Sequence, residues 1–399
     1  PGRTDSFYRK FIKHSFYYDL QIMKYIYLSS LMIALSAFFL IGCENAEYKA
    51  QSNSLYITDA AGTNNATTVT MDDGADINVV VRLAQKVMED VEVEIQFSPE
   101  LLAEYNATSG TEYEVLPADM LPKNATVIIP AGEISANYRL HVDDFVTNGI
   151  TYAIPLTLGN VIKGNIVKSK AQSKFIYVLA KPLNVSVPVL RGNAGNVTTL
   201  PETDWGITVD AWTLEAWVRM DGYSINNQAI FTSGSNDHEI YIRFGDANRP
   251  YNYLQIKSLG GQKQTASDLE ANTWYHWAFV YNGTTLTIYR NGKQDTFFDP
   301  PAPKGGSVRF DFMKIVDSGS YFRNNCAMSQ VRLWKVARTE SEIANNMYFE
   351  VNPKNPNLIA LWPMDEGDGT SFRDATGNGH NATSNGALQR WEHNIRFDK

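Results

Sequence analysis

Four groups of residues in this chain are of types that bind or react. The first is Asp374-Ala375-Thr376-Gly377-Asn378-Gly379, where a carboxylate, an amide and glycine-exposed carbonyls crowd into one turn. Oxygen donors at that density suit Ca²⁺, a hard cation that takes about six to eight of them. Asp374 and Asn378 are the side chains such an ion would use. The spacing is not that of an EF-hand loop, and a plain Gly-rich turn is the competing reading.

The second group is aromatic and polar. Trp205, Tyr223, Tyr251 and Tyr253 stand among polar and glycine residues rather than in apolar runs. An open aromatic ring matches the C–H face of a pyranose. His238, Arg243, Asn248 and Asn324 are of types that direct hydrogen bonds to sugar hydroxyls. Taken one at a time, each of the eight reads more readily as an ordinary loop residue.

The carboxylates form the third group, and they speak against catalysis. Glu92 and Glu94 alternate with Val and Ile, the signature of a wet strand face. Asp365 and Glu366 are adjacent, so on a strand they would point to opposite faces. Glu215 is the single acid in Trp212 to Val218. Glycoside cleavage needs two carboxylates facing one sugar, about 5 Å apart for retention. No such pair is legible, and His-Glu-x-x-His and Gly-x-Ser-x-Gly are absent. No catalytic residue is assigned.

The fourth group is the two cysteines, Cys43 and Cys326. Cys43 ends an apolar leader, which leaves Cys326 unpaired, with burial as its simplest fate.

These groups need elements to position them. A chain of 399 residues with 44% hydrophobic and 12% aromatic content is globular and large enough for two or three domains. Its net charge of −8 and lack of a basic stripe exclude a nucleic-acid partner. All eight tryptophans lie from Trp205 to Trp391, so the two halves differ in composition and a boundary falls between them.

Met23-Lys24 and the apolar run Tyr25 to Ile41 read as a signal peptide spanning 23–42, with residues 1–22 an over-extended start. Leu40-Ile41-Gly42-Cys43 resembles a bacterial lipobox, which implies acylation of Cys43 and a membrane anchor without a spanning helix. Residues 43–47 are then the tether. Glu44, Asn45 and Glu47 are similar to the acidic surface-export signals of Bacteroidota lipoproteins. The expectation is an outer-membrane lipoprotein exposed at the cell surface.

Residues 48–180 carry short strands at regular spacing: Ile77 to Leu83, Val91 to Phe97, Thr126 to Ile129, Ser135 to Val142, Tyr152 to Leu158 and Lys174 to Leu179. With no long helix among them, they predict an immunoglobulin-like β-sandwich. Tyr105-Asn106, Gly110-Thr111-Glu112-Tyr113, Leu116-Pro117, Ile129-Pro130-Ala131-Gly132 and Tyr152-Ala153-Ile154-Pro155-Leu156 resemble, in order, the Bacteroidota domain of unknown function 1735. That resemblance implies an accessory or spacer module. Residues 181–188, with Pro182 and Pro188, read as a stiff linker.

Residues 189–399 are predicted all-β as well. In Trp274 to Lys293, two aromatic and β-branched runs each end in Asn-Gly, which predicts three consecutive antiparallel strands. The first run is bulky at odd and even positions and should be covered on both faces. Thr339-Glu340-Ser341-Glu342 is a capping box opening a short helix through Met347. Four segments resemble, in order, the concanavalin A-like, laminin G-type jelly rolls of the laminin-G-3 group: Trp212 to Val218, Trp274 to Lys293, Met328 to Trp334 with Arg338 to Ile343, and Leu361 to Gly367 with Asp374 to His380. The resemblance implies two sheets with Trp217, Trp277, Phe279 and Trp334 between them.

The reading is therefore an anchored, non-catalytic all-β protein whose jelly roll binds a polysaccharide or oligosaccharide, with protein partners in a glycan-uptake complex. An adhesive lipoprotein holding a protein partner and a glycoside hydrolase are the alternatives, because sandwich folds host all three.

Overall fold

The computed structural model describes residues 53–191, 196–202, 204–234, 239–301, 307–317 and 319–399. The signal segment, its tether and Cys43 lie outside them. No helix among the described residues is long and apolar enough to cross a membrane.

The N-terminal part is a sandwich of two sheets. One has the order Ser135–Val142, Ala75–Leu83, Ser54–Ile57, Val167–Lys168, and the other Ala66–Thr70, Lys174–Ala180, Tyr152–Lys163, Val91–Phe97, Thr126–Ile129. Alternation makes the sandwich: Ile77, Val79 and Val81 point inward with Val91, Val93 and Ile95 opposite, and Phe175, Tyr177 and Leu179 complete that core. Each strand expected here is present.

A helix that the strand pattern does not reveal runs from Pro99 to Ser109. Its start and stop signals are nonetheless written out. Ser98 Oγ accepts from Leu101 N–H, Pro99 occupies the first turn, and Gly110 closes the helix at φ 66°.

The C-terminal sandwich stacks two larger sheets. The first has the order Lys293–Phe298, Leu286–Arg290, Tyr275–Tyr281, Trp212–Met220, Asn325–Trp334, Asn184–Arg191, Arg390–Arg396, with Leu358–Trp362 also paired to Asn325–Trp334. The second runs Gly261–Gln264, Leu254–Ser258, Ile240–Phe244, Gln228–Ser233, Lys314–Ile315, Val197–Thr199, Ala382–Ser384, Ser371–Phe372. Ile207–Val209 and Val308–Phe310 form a separate ribbon.

The expected hairpins are there. Asn291 and Gly292, at φ 52° and 76°, make a two-residue turn. The other turn is longer, because Asn282 Oδ1 accepts from Thr284 and Thr285 N–H and holds a four-residue loop.

Two expectations are corrected. Residues 184–188 are not a linker: Val185, Val187 and Val189 alternate, bury one face, and place the Asn184–Arg191 strand inside the first sheet. Trp277 and Phe279 do lie between the sheets, but Trp217 and Trp334 pack on the first sheet's outer face. The reason is period two. Leu214, Ala216 and Val218 take the inner side, which leaves Thr213, Glu215 and Trp217 outside.

That outer side is not solvated, because the segment after Trp334 folds back over it. The helix Glu340–Asn346, opened by the Thr339/Glu342 capping box, seats Ile343 on Ala278 and Val280. Met347 and Phe397 cover Trp217, whose Nε1 donates to Met347 O at 2.7 Å. Glu215 is thereby fully buried at 0% exposure. Arg338 Nη1 donates to its Oε1 at 2.6 Å, and Arg332 Nη1 and His276 Nε2 stand 3.9 and 3.6 Å from Oε2. Arg332 also donates to Asn346 O and Phe349 O, at 3.0 and 2.6 Å.

Burial alone would raise Glu215, but Arg338 and Arg332 outweigh it and hold the carboxyl below its usual range. Burial takes Arg332 down to about 10, still cationic at neutral pH. His276 is pushed down to about 3 by burial, which overcomes the attraction of a carboxylate already matched by two arginines.

The folded His276 therefore resists a proton that the unfolded chain accepts near pH 6.5. Its contribution is intact above that pH and declines as pH falls toward 3, by up to about 1.4 kcal/mol per pH unit. Between pH 6.5 and 5 the protein should lose about 1–2 kcal/mol more stability than its His276→Gln variant. Denaturant titrations of both proteins at the two pH values measure this. Parallel losses would show that His276 does not stay neutral.

Candidate functional site

Among the described residues, the outer face of the second sheet carries no helix like the one on the first. On Ile240–Phe244 the residues Ile240, Ile242 and Phe244 enter the core, so Tyr241 and Arg243 face out. On the neighbouring Leu254–Ser258 strand, Gln255 pairs with Arg243 and Lys257 with Tyr241.

Arg243 organises this face. Only 9% of it is exposed, and each of its three guanidinium nitrogens has a partner. Nε and Nη2 donate to Gln255 Oε1 at 3.1 and 2.7 Å, and Nη1 to Asn227 Oδ1 at 2.6 Å. Nη2 lies 2.8 Å from Asp246 Oδ1. Tyr241 OH donates to the same Asn227 oxygen at 2.7 Å, and Gln255 Nε2 to Asp246 Oδ2 at 3.1 Å. Burial raises the Tyr241 phenol, which keeps it a neutral hydrogen-bonding group. Asn227 adopts φ 63°, a left-handed turn that Asn tolerates, and its N–H donates to Gly245 O.

The arrangement is a fixed set of amide, phenol, guanidinium and carboxylate groups on rigid strands. It can donate and accept hydrogen bonds without reorganising. It contains no nucleophile–base pair.

The expected site residues divide between places. Arg243, Asn248 and Tyr251 gather at one end of the second sheet: Asn248 is exposed, and Tyr251 is half-buried with Arg249 Nε 3.3 Å from its hydroxyl. Tyr223, Tyr253 and Asn324 are at the same end but serve as structure. Tyr223 meets Phe244 edge-on at 5.4 Å, and burial raises its phenol. Tyr253 is buried, its hydroxyl accepting from Asp246 N at 2.7 Å. Asn324 clamps two loops, accepting from Ser224 N and Oγ and donating to Asp221 Oδ1.

Trp205 is at the opposite end, as the antiparallel registers dictate, stacked on His380 at 3.8 Å with Nε1 donating to Pro201 O. His238 lies outside the described residues. Tyr241, Asn227 and Gln255 were not singled out from the sequence. The period-two alternation of Ile240-Tyr241-Ile242-Arg243-Phe244 was the available signal.

The Asp374 turn is filled by its own chain. Oδ1 accepts from Leu361 N at 3.2 Å, Thr376 N at 3.1 Å and Thr376 Oγ1 at 2.7 Å, while Oδ2 accepts from His380 N at 3.1 Å. Asn378 turns its amide nitrogen toward Ile359 O at 2.9 Å. N–H donors occupy the carboxylate where a cation would sit, so these residues do not fit Ca²⁺. Among the described residues no cluster of three or more His, Cys, Asp or Glu could hold a metal.

The carboxylates are equally unpromising for hydrolysis. Glu215 faces arginines beneath the helix Glu340–Asn346. Asp365 and Glu366 lie in a loop beyond the Leu358–Trp362 strand, where Glu366 Oε1 accepts from Arg373 N at 2.8 Å. Cys326 is buried and unpaired, and burial drives its thiol well above the ordinary range.

Comparisons with known proteins agree with this architecture. Residues 191–344 match the family model of the concanavalin A-like lectin/glucanases superfamily, and residues 49–163 match a second model described as an N-terminal domain. The C-terminal sandwich is a concanavalin A-like domain. A Bacteroides ovatus protein, provisionally titled carbohydrate binding, superposes with TM-score 0.61 at 22% identity, covering 85% of this chain and 97% of its own. That likeness is one of fold. EndoBT-3987 of Bacteroides thetaiotamicron gives TM-score 0.26 at 16% identity over 32% of this chain and 30% of its own. Mouse pappalysin-1 is 26% identical over 159 residues, 35% of this chain, which spans 10% of that protein's length.

Melting curves in excess Ca²⁺ and in chelator should coincide, whereas Asp374→Ala should destabilise the fold by about 1–3 kcal/mol through orphaned N–H groups. Differential scanning calorimetry separates these outcomes. A rise in melting temperature specific to Ca²⁺ would reinstate the ion.

Proposed function

We propose that this protein captures carbohydrate without cleaving it, using the outer face of the second sheet around Tyr241 and Arg243. The supporting observation is the buried, fully hydrogen-bonded Arg243 cluster, displayed on rigid strands beside Tyr241 and Tyr251. Sugars are bound by such fixed donors and acceptors next to aromatic rings. The fold shared with a protein titled as carbohydrate binding supports the same reading. A hydrolase would need two facing carboxylates, and Glu215 is committed to Arg338 and Arg332.

We also propose, from the lipobox-like Leu40-Ile41-Gly42-Cys43, that Cys43 carries a lipid anchor and that the protein serves glycan uptake at the outer-membrane surface. Protein partners in such a complex belong to the same proposal. Two acyl chains or more are needed for firm attachment, each buried CH₂ contributing about 0.8 kcal/mol.

Tyr241→Ala and Arg243→Met should each weaken glycan binding about tenfold or more in affinity electrophoresis, and no reducing ends should accumulate. Retained affinity in both variants would move the site elsewhere, and released oligosaccharides would make the protein an enzyme. Cys43→Ala should shift the protein from the membrane to the soluble fraction. Unaltered fractionation would remove the anchor.

A further inference from the structure

The chain as a whole is acidic, at −8, yet the proposed binding face is not. The cations at this face and its adjoining loops are Arg243, Arg249, Lys257, Lys314 and Arg323, and the carboxylates are Asp221, Glu239, Asp246 and Asp317. Three of the four carboxylates are already occupied, and Glu239 is exposed at the start of the Ile240–Phe244 strand. Asp246 is held by Arg243 and Gln255. Asp317 is held by Lys314 at 3.0 Å and by Asn196 at 3.1 Å, and Asp221 by the amides of Asn324 and Asn325.

The cations are not matched in the same way. Among the described residues, Lys257, Arg249 and Arg323 have no carboxylate partner. Arg249 donates only to Tyr251 OH, and Arg323 Nε to Ser320 O. Lys257 stands directly beside Tyr241 in register, two positions along the strand from Gln255. Several other arginines of the same sandwich are neutralised: Arg219 with Glu392, Arg290 with Asp268 and Asp295, Arg309 with Asp311, Arg396 with Asp72 and Asp398.

Cations without carboxylate partners on the face that holds Tyr241 and a pre-formed hydrogen-bond network complement an anionic ligand, on a protein whose net charge repels one. We infer that the glycan carries anionic groups, carboxylates or sulfates, read by Lys257 and Arg249 while Tyr241 and the Arg243 cluster hold the ring and its hydroxyls. This rests on the carbohydrate-binding reading and narrows it. Arginine offers a planar fork matched to either anion, and lysine a point charge.

The test uses the full chain and three polymers: dextran, dextran sulfate and polygalacturonate. Dextran and dextran sulfate share a backbone and differ in charge, while polygalacturonate supplies carboxylate in place of sulfate. The expected result is binding to at least one charged polymer and at least about tenfold weaker binding to dextran, with affinity falling as salt screens the contact. Which charged polymer binds identifies the anion.

Lys257→Gln combined with Arg249→Gln should reduce that binding about tenfold, while Lys354→Gln, an exposed lysine remote from this face, should leave it unchanged. Equal affinity for dextran and the charged polymers, or equal losses in Lys354→Gln, overturns the anionic assignment and leaves carbohydrate capture standing. Failure of all three polymers and of a neutral glycan panel overturns both.

Discussion

A single buried anion orders the first sheet of the C-terminal sandwich. Period two on Trp212–Met220 turns Leu214, Ala216 and Val218 toward the inter-sheet core, and the same geometry must turn Glu215 the other way. Left in a dry environment, that carboxylate would cost several kcal/mol. It is compensated by Arg338 at 2.6 Å and by Arg332 on the adjoining strand, in register with it. Arg332 then reaches Asn346 O and Phe349 O, and Arg338 reaches Glu342 O. The two guanidiniums thus bind the carboxylate and the covering segment together. A hydrophobic isostere could fill the same space, but it would not specify which backbone carbonyls come down onto the sheet.

Closing one face decides what the other can do. With the first sheet's outer side covered by Ile343, Met347 and Phe397, a ligand reaches the C-terminal sandwich through its loops or the second sheet. There the polar residues are neither scattered nor free. Arg243 is desolvated and held by Gln255, Asn227 and Asp246, so its donors keep fixed directions. Preorganised groups lose little entropy on binding, and weak sugar contacts benefit most from that.

How much of this was legible in the sequence depends on the range of the signal. Strands, hairpins and the Thr339/Glu342 capping box follow from local periodicity and turn chemistry, and they appear where those rules put them. The helix Pro99–Ser109 carried its caps, Ser98 and Gly110, in plain view, but a strand-rich neighbourhood masked them. Side-chain fate was harder to read. Tyr253 and Trp205 look alike in sequence, both aromatic beside polar residues. Whether a ring lies under a loop or on it depends on strands far away in the chain, such as Ala382–Ser384 beside Val197–Thr199. Asp374 shows the same limit: its loop has the composition of a cation site, and only the fold reveals that Leu361 and His380 N–H groups fill its oxygens.

The boundary between the sandwiches extends the argument from one face to the whole described body. Leu183 N–H donates to Tyr348 O, and Pro182 bridges to Phe349, so the covering segment is also where the two sandwiches meet. Glu350, next in that segment, accepts from Thr147 Oγ1 and Gly149 N–H at 2.9 Å each. Gly149 sits at φ 75°, and a Cβ there would collide with the Val351 carbonyl, so the backbones approach as closely as glycine permits. The ion pair of Arg396 with Asp72 adds little, because water screens the exposed carboxylate. The backbone contacts carry more weight, because they require the segment that Arg332 and Arg338 hold down. Loosening the buried anion would therefore relax the boundary as well as the sheet.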